Sequence, residues 1–249
     1  MKRKLIIFSA IFLISVIGFS FSERDRKRAI AHIVRHMKRW NIPNRITKAF
    51  WSVKREYFVQ NRETGRWPSK RAAYSTRPLA IGYGQTISGT RMVAWMTYMS
   101  NPQPTDKILE IGTGSGFQSA ILSYFGSKVY SIEIVRPLGL DAKKVHAKRG
   151  YSSKITTKVA DGYFGWKKYA PFNKILVTCG TNHIPPALVR QLARGGTMII
   201  PVGNPYGKQR MIVLKKDRMG RIKTRAYFAD HFVPMTGRAL QKFRRSRGR

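Results

Sequence analysis

The chain has 249 residues, 43% of them hydrophobic and 12% aromatic, which is enough for one sizeable core and excludes a disordered chain. Lys and Arg number 48 against 11 Asp and Glu, a net charge of +37 spread over all three thirds of the sequence; it predicts weak, nonspecific binding of polyanions and says nothing about fold. The single cysteine, Cys179, excludes an intrachain disulfide and a thiolate metal site, and no metal is expected.

Met1 to Lys4 form a short basic head, and Leu5 to Phe21 follow without a charge over 17 residues. As a helix this segment spans roughly 26 Å, marginal against a hydrocarbon core of roughly 30 Å. Three readings fit: a membrane anchor, a signal peptide with Gly18 and Ser20 before the cleavage point, or a buried amino-terminal helix. Seven Lys/Arg stand between Arg24 and Arg39, against three before the segment. That bias favours an uncleaved anchor in residues 1–22, attached through 5–21, with the body facing the cytoplasm. Export after cleavage and a cytoplasmic chain are the alternatives.

Residues 23–80 read as a helical and loop region packing on the core. Ala29 to Trp40 has helical apolar spacing, Arg45 to Val59 reads as a second helix, and 60–80, with Gly65, Pro68 and Pro78, reads as loop. His32 and His36 share a helix face, with no acid or thiol nearby to complete a metal site. Gly82-Tyr83-Gly84-Gln85-Thr86-Ile87-Ser88 precedes a helix over Met92 to Met99. From Lys107 the pattern alternates. Strands are predicted at Lys107–Ile111, Lys128–Ile132, Ile155–Val159, Lys174–Thr178, Thr197–Pro201, Gln209–Lys215 and Ile222–Phe228; helices are predicted at Phe117–Phe125, Leu138–Arg149 and Ala187–Leu192. Repeated β–α–β units predict a doubly wound, mostly parallel α/β sheet over residues 81–237, with an N-terminal helical extension. The basic tail, 238–249, is expected to be disordered from Gln241.

One constellation carries chemistry. Glu110-Ile111-Gly112-Thr113-Gly114-Ser115-Gly116 joins a strand to a helix, and its glycines let the backbone turn tightly beside a ligand. Glu133 follows the next strand, 21 residues after Gly112, where an acid accepts hydrogen bonds from ribose hydroxyls. Asp161, beside Gly162, follows the third strand, where an adenine amino group can be held. There is no P-loop lysine after Gly116, no HExxH and no G-x-S-x-G, which argues against phosphate-loop, zinc-protease and serine-hydrolase chemistry.

The blocks GYGQTIS (82–88), LEIGTGSGFQ (109–118), VYSIE (129–133), DGYFGW (161–166), IPPAL (184–188) and IPVG (200–203) together resemble the protein-L-isoaspartate O-methyltransferase family, over roughly residues 30–237. The resemblance implies a Rossmann-like fold, S-adenosyl-L-methionine as cofactor, and methylation of the α-carboxylate of isoaspartyl residues in damaged proteins; a monomer is expected, although no residue pattern fixes the oligomeric state. It assigns Glu110, Gly112, Gly114, Gly116, Glu133, Asp161 and Gly162 to the cofactor. Gln85, Thr86, Ile87 and Ser88 fall on the substrate side, with Ser88 as the catalytic residue. Departures from the family pattern at Ser75-Thr76, Thr90, Asn173 and 179–183 bear on substrate geometry more than on cofactor binding.

The chemistry asks little of the protein. A carboxylate of pKa near 4 is already ionised at neutral pH and needs no base, so catalysis is mainly positioning. Ser88 would hold that carboxylate through its hydroxyl, or cap the helix that starts near Gly89; the two roles can coexist. His183 would help to bind an anionic substrate, or is a plain loop histidine. Two other functions remain open at this point: a methyltransferase with another target, including nucleic acid, and a nonenzymatic binding protein on the same fold.

Overall fold

The computed structural model of the protein describes residues 22–39 and 41–247. Helix α1 (Glu23–Arg39) starts earlier than expected because Ser22 Oγ accepts from the Asp25 amide at 3.0 Å and two acids complement the first turn. The expected end at residue 40 lies outside the described residues. Its stripe of Ile30, Ile33 and Met37 is buried. Arg26 is buried too, its Nε donating to Glu56 Oε1 at 2.7 Å.

Helix α2 (Asn44–Ser52) stops where the sequence predicts a continuous helix to Val59; Val53 turns extended, and a single 3-10 turn follows at Arg55–Phe58. The break lets Arg55, Glu56 and Phe58 all be buried. Within the expected loop 60–80 lie a one-turn helix, α3 (Lys70–Ala73), and the start of a hairpin, β1 (Leu79–Gly82) against β2 (Gln85–Ile87). Helix α4 (Thr90–Ser100) follows.

The remaining chain alternates through β3 (Lys107–Ile111), α5 (Phe117–Ser123), β4 (Lys128–Glu133), α6 (Arg136–Lys148), β5 (Ile155–Val159), β6 (Phe172–Val177), α7 (Pro186–Gln191) and β7 (Leu192–Gly203). It closes with β8 (Gln209–Lys216) and β9 (Ile222–Asp230). The sheet order is β5-β4-β3-β6-β7-β8-β9; β3 to β7 are parallel, and the hairpin β8–β9 is antiparallel. This is the expected doubly wound, mostly parallel architecture.

Both faces of β3, β6 and β7 are largely covered, which explains their apolar runs; β5, at the sheet edge, is mostly not buried. Leu109, Ile111, Ile175 and Val177 pack with Leu188 and Met198. Their neighbours Ile108, Leu176 and Ile199 pack with Met92, Met96 and Leu122. The amino-terminal helices join the sheet layer through a shared cluster in which Phe50 and Phe58 stand 6.0 and 5.6 Å, centroid to centroid, from Phe117.

Two further expectations are corrected. The tail is not disordered from Gln241: Arg238–Arg247 form helix α8. Asp161 Oδ2 accepts from the Arg238 amide at 2.8 Å, Ala239 is buried, and the Phe243 ring lies 6.1 Å from that of Tyr206. The second concerns the membrane. Among the described residues no helix is long and apolar enough to cross one. The membrane attachment and the anchored, cytoplasm-facing placement are corrected to that extent: no described helix supports them, and the segment 5–21 on which they rest lies outside the described residues.

Candidate active site

Strand β3 is the middle of the five parallel strands, and the chain leaves it toward β4 and β5 before returning to β6 on its other side. The carboxyl ends of β3 and β6 therefore flank a topological switch point, where open α/β sheets form their crevice. The glycine turn sits there. Gly112 has φ +95°, and a Cβ on it would stand 2.5 Å from Thr178 Oγ1 at the end of β6. That hydroxyl lies 2.8 Å from the Gly112 carbonyl and 3.0 Å from that of Ile111, tying the turn to β6. Gly116 has φ +85°, and its missing Cβ leaves room for the His146 ring, whose Nε2 meets the Gly116 carbonyl at 3.0 Å. Burial pushes the pKa of His146 down. The ring is thus neutral, and since a carbonyl only accepts, Nε2 carries the proton.

Two adjoining cavities meet over this turn. Gly112, Gly114, Thr86 and Thr178 line both. The first adds Gln85, Glu133, Gly162 and Cys179, and the second adds Ile87, Ser88 and Gln118. Ser88 also lines a wider cleft on the outside. Gly89, not Ser88, stands at the amino end of α4, and no side chain caps that helix.

Three acids were expected at the cofactor, and the structure treats them differently. Glu133 lies on the cleft wall, with Oε2 accepting from the Gly114 amide at 2.7 Å and Oε1 from the Val135 amide at 2.8 Å. Burial raises its pKa, partly offset by these amides. Glu110 lies behind the turn, off the cleft lining. Its Oε2 accepts from the hydroxyls of Ser131, at 2.6 Å, and Ser119, while buried Oε1 has no partner. Asp161 is also committed to the protein: it accepts from the amides of Tyr163 and Arg238, both at 2.8 Å. Its neighbour Gly162 reaches the cleft; a Cβ there would stand 2.3 Å from Ile111 Cγ2.

Burial pushes the Glu110 carboxyl up to about 7, the two serine hydroxyls pulling the other way. The unfolded side chain titrates near 4.5, so the folded state holds its proton longer. Stability contributed by the neutral acid is full below pH 4.5 and is lost as pH rises through 7. Glu110→Gln should therefore gain on the parent between pH 5 and pH 8, by roughly 2–3 kcal/mol. Urea denaturation at both pH values reads this directly; a constant difference between the two proteins would rule out titration inside the fold.

His183 is not brought onto the lining of either cavity. Its Nε2 meets the Tyr163 hydroxyl at 3.1 Å and its Nδ1 the Asn182 side chain at 2.7 Å. Burial, and then the charge of Lys242, lower its pKa, which disfavours a cationic anion-binding role. Cys179 is on the wall, but burial pushes its thiol up, as do the charges of Glu133 and Asp161, so it is no nucleophile.

Sequence reasoning missed two residues. The sequence pattern marks Thr178 only as the last residue of its strand, yet its position at the end of β6, beside β3, is a legible signal. Arg55 had none. Its fully buried guanidinium donates from Nε to the Ala73 carbonyl and from Nη2 to the Ser88 carbonyl, both at 2.8 Å, and lies 4.7 Å from the centre of the Phe117 ring. It fixes the backbone at Ser88 from behind. Burial holds its pKa down at about 9, so it remains charged at neutral pH.

Comparison with known proteins bears on what this cleft does. The family model of protein-L-isoaspartate(D-aspartate) O-methyltransferase (PCMT) matches residues 26–240. The chain is 42% identical over 196 residues to protein-L-isoaspartate O-methyltransferase 2 of Polaromonas sp., covering 79% of this chain and 90% of that one. Its fold is that of a solved protein-L-isoaspartate O-methyltransferase, with TM-score 0.78 and 23% identity over 90% of this chain and 69% of the other. A Plasmodium falciparum protein described as a beta-aspartate methyltransferase (PCMT), solved with S-adenosyl-L-homocysteine, superposes with TM-score 0.71 at 20% identity, covering 85% of this chain and 98% of that one.

Proposed function

The chain belongs to the protein-L-isoaspartate O-methyltransferase family, and on that premise we propose how its cleft is used. The protein is an S-adenosyl-L-methionine-dependent enzyme that methylates isoaspartyl residues of damaged proteins, a repair reaction. One observation carries the assignment of roles: Ser88 lines both the inner cavity, which it shares with Gly112 and Gly114, and the outer cleft. A group held by its hydroxyl can face the cofactor side from the substrate side.

The cleft residues fit the cofactor. Backbone without side chains at Gly112 and Gly114 permits close approach, and the carboxylate of Glu133 offers lone pairs to ribose hydroxyls beyond the two amides it already accepts. The cofactor supplies a methyl activated by a sulfonium. Ser88 donates its hydroxyl proton in a hydrogen bond to the substrate α-carboxylate and orients it. Arg55 holds the Ser88 carbonyl, and Thr178 holds the glycine turn, so the two sides keep their register. No residue abstracts a proton, because the carboxylate arrives ionised. The ester then closes to a succinimide as a backbone amide nitrogen of the substrate attacks its carbonyl and methanol leaves, and hydrolysis of the succinimide regenerates some normal aspartate.

Purified protein with labelled cofactor, offered an isoaspartyl peptide, its aspartyl twin and RNA, tests this reading. Label on the isoaspartyl peptide alone is expected; equal label on the twin, or label on RNA, would overturn it. Glu133→Ala should weaken binding of S-adenosyl-L-methionine by roughly 10- to 100-fold, through loss of hydrogen bonds to a charged acceptor. Calorimetry on a variant shown to be folded by its melting curve measures it, and unchanged affinity would remove Glu133 from the cofactor site.

A further inference from the structure

Outside Ser88 the surface is hollowed into two joined clefts. One, of about 810 Å³, runs between α1 and residues 69–77. The other, of about 460 Å³, runs from Arg77 to Ser88 and Gly89. Thr76 and Arg77 line both, so they form one groove that ends at the serine. Its walls carry Arg28, Arg71, Arg77 and Arg91 against two acids, Asp25 and Asp230. Arg77 stands at the junction, and its side chain is exposed.

A carboxylate held by Ser88 belongs to a polypeptide, and the rest of that polypeptide must leave the site along the surface. The groove that opens at Ser88 is a continuous concave path for it, and of the clefts that adjoin Ser88 it is the one with arginines on opposing walls; the other, past Arg91 and Met92, is lined mainly by Ile42, Trp95 and Phe228. Arginines on its opposing walls focus a positive potential there, over and above the diffuse field of the +37 chain. The isoaspartyl α-carboxylate is one negative charge entering this field, and acidic neighbours in the same peptide add others.

We propose that this groove selects isoaspartyl sites flanked by Asp or Glu, with Arg77 as the specificity-determining residue. The inference rests on the reading of Ser88 as the carboxylate-holding group. It names an acidic peptide rather than nucleic acid because the groove leads to that serine. Arg77 acts on the flanks of the substrate and not on the reacting atoms. Its signature is therefore a ratio of rates between peptides rather than a loss of rate on all of them.

The test uses three isoaspartyl peptides identical except for flanking Glu, Gln or Lys, with kcat/KM measured at low and at high salt. The parent should prefer Glu over Lys flanks by about tenfold at low salt, and less at high salt. Arg77→Gln should cut that ratio to about a third or less. Arg218→Gln removes the same charge from the turn between β8 and β9, at the end of β9 opposite Asp230, and should leave the ratio unchanged. Equal rates on Glu- and Lys-flanked peptides, an undiminished ratio in Arg77→Gln, or an equal fall in Arg218→Gln would each overturn the groove's role while leaving the reaction standing. Failure of the parent to methylate any of the three would overturn the reading of Ser88 and the groove together.

Discussion

Ser88→Ala is expected to lower turnover on an isoaspartyl peptide by about 10- to 150-fold at saturating cofactor, with cofactor affinity retained. The range is that of one hydrogen bond to a charged group, roughly 1.5–3 kcal/mol. Two features of the site make the hydroxyl separable from the fold. Gly89 stands at the amino end of α4, so losing the hydroxyl uncaps nothing. The interaction that holds this backbone, Arg55 Nη2 to the Ser88 carbonyl, does not involve the side chain. The loss should appear in turnover and peptide affinity, with the calorimetric constant for the cofactor as internal control. Parent-like rates at saturating cofactor would remove Ser88 from the chemistry and return the residue to a purely structural place.

Gly116→Ala is expected to cost about 2–5 kcal/mol of stability. A residue with a Cβ at φ +85° pays roughly 1–2 kcal/mol for the left-handed backbone. The new methyl would also stand 2.4 Å from His146 Nε2, in a ring that is buried and bonded to the Gly116 carbonyl, and such overpacking typically adds about 1–3 kcal/mol. For a chain of this size, about 2–4 °C of melting temperature is lost per kcal/mol. Combining the change with His146→Ala should recover part of the loss, because it removes the clash but not the backbone strain. A parent-like melting curve for the single variant would mean that α6 shifts away from the turn at little cost.

Much of the architecture was legible in the residues. The alternation of apolar runs and helical spacing from Lys107 onward located β3 to β9; β3, β6 and β7 were the most legible, because both their faces are largely covered and such strands read as apolar runs. The glycine turn and the acid 21 residues beyond it were legible because backbone geometry and chain length constrain them locally. Helix ends were less so. The early start of α1 depends on a serine cap, and the end of α2 on the burial of Arg55 and Glu56 against residues far along the chain.

What each acid does was decided only by tertiary structure. Glu110, Glu133 and Asp161 all stand at or near strand ends, yet only Glu133 lines the cleft. Glu110 is turned to the hydroxyls of Ser119 on α5 and Ser131 on β4, and Asp161 to the amide of Arg238, 77 positions later. A side chain's partner depends on which distant segment packs against it, and no local pattern encodes that. The same holds for Arg55 behind Ser88, and for α8, which becomes a helix because Asp161 caps its start and Tyr206 covers Phe243. The sequence by itself determined the sheet, the turn and the family; packing between segments remote in the chain determined which of its polar groups face the cleft and which hold the protein together.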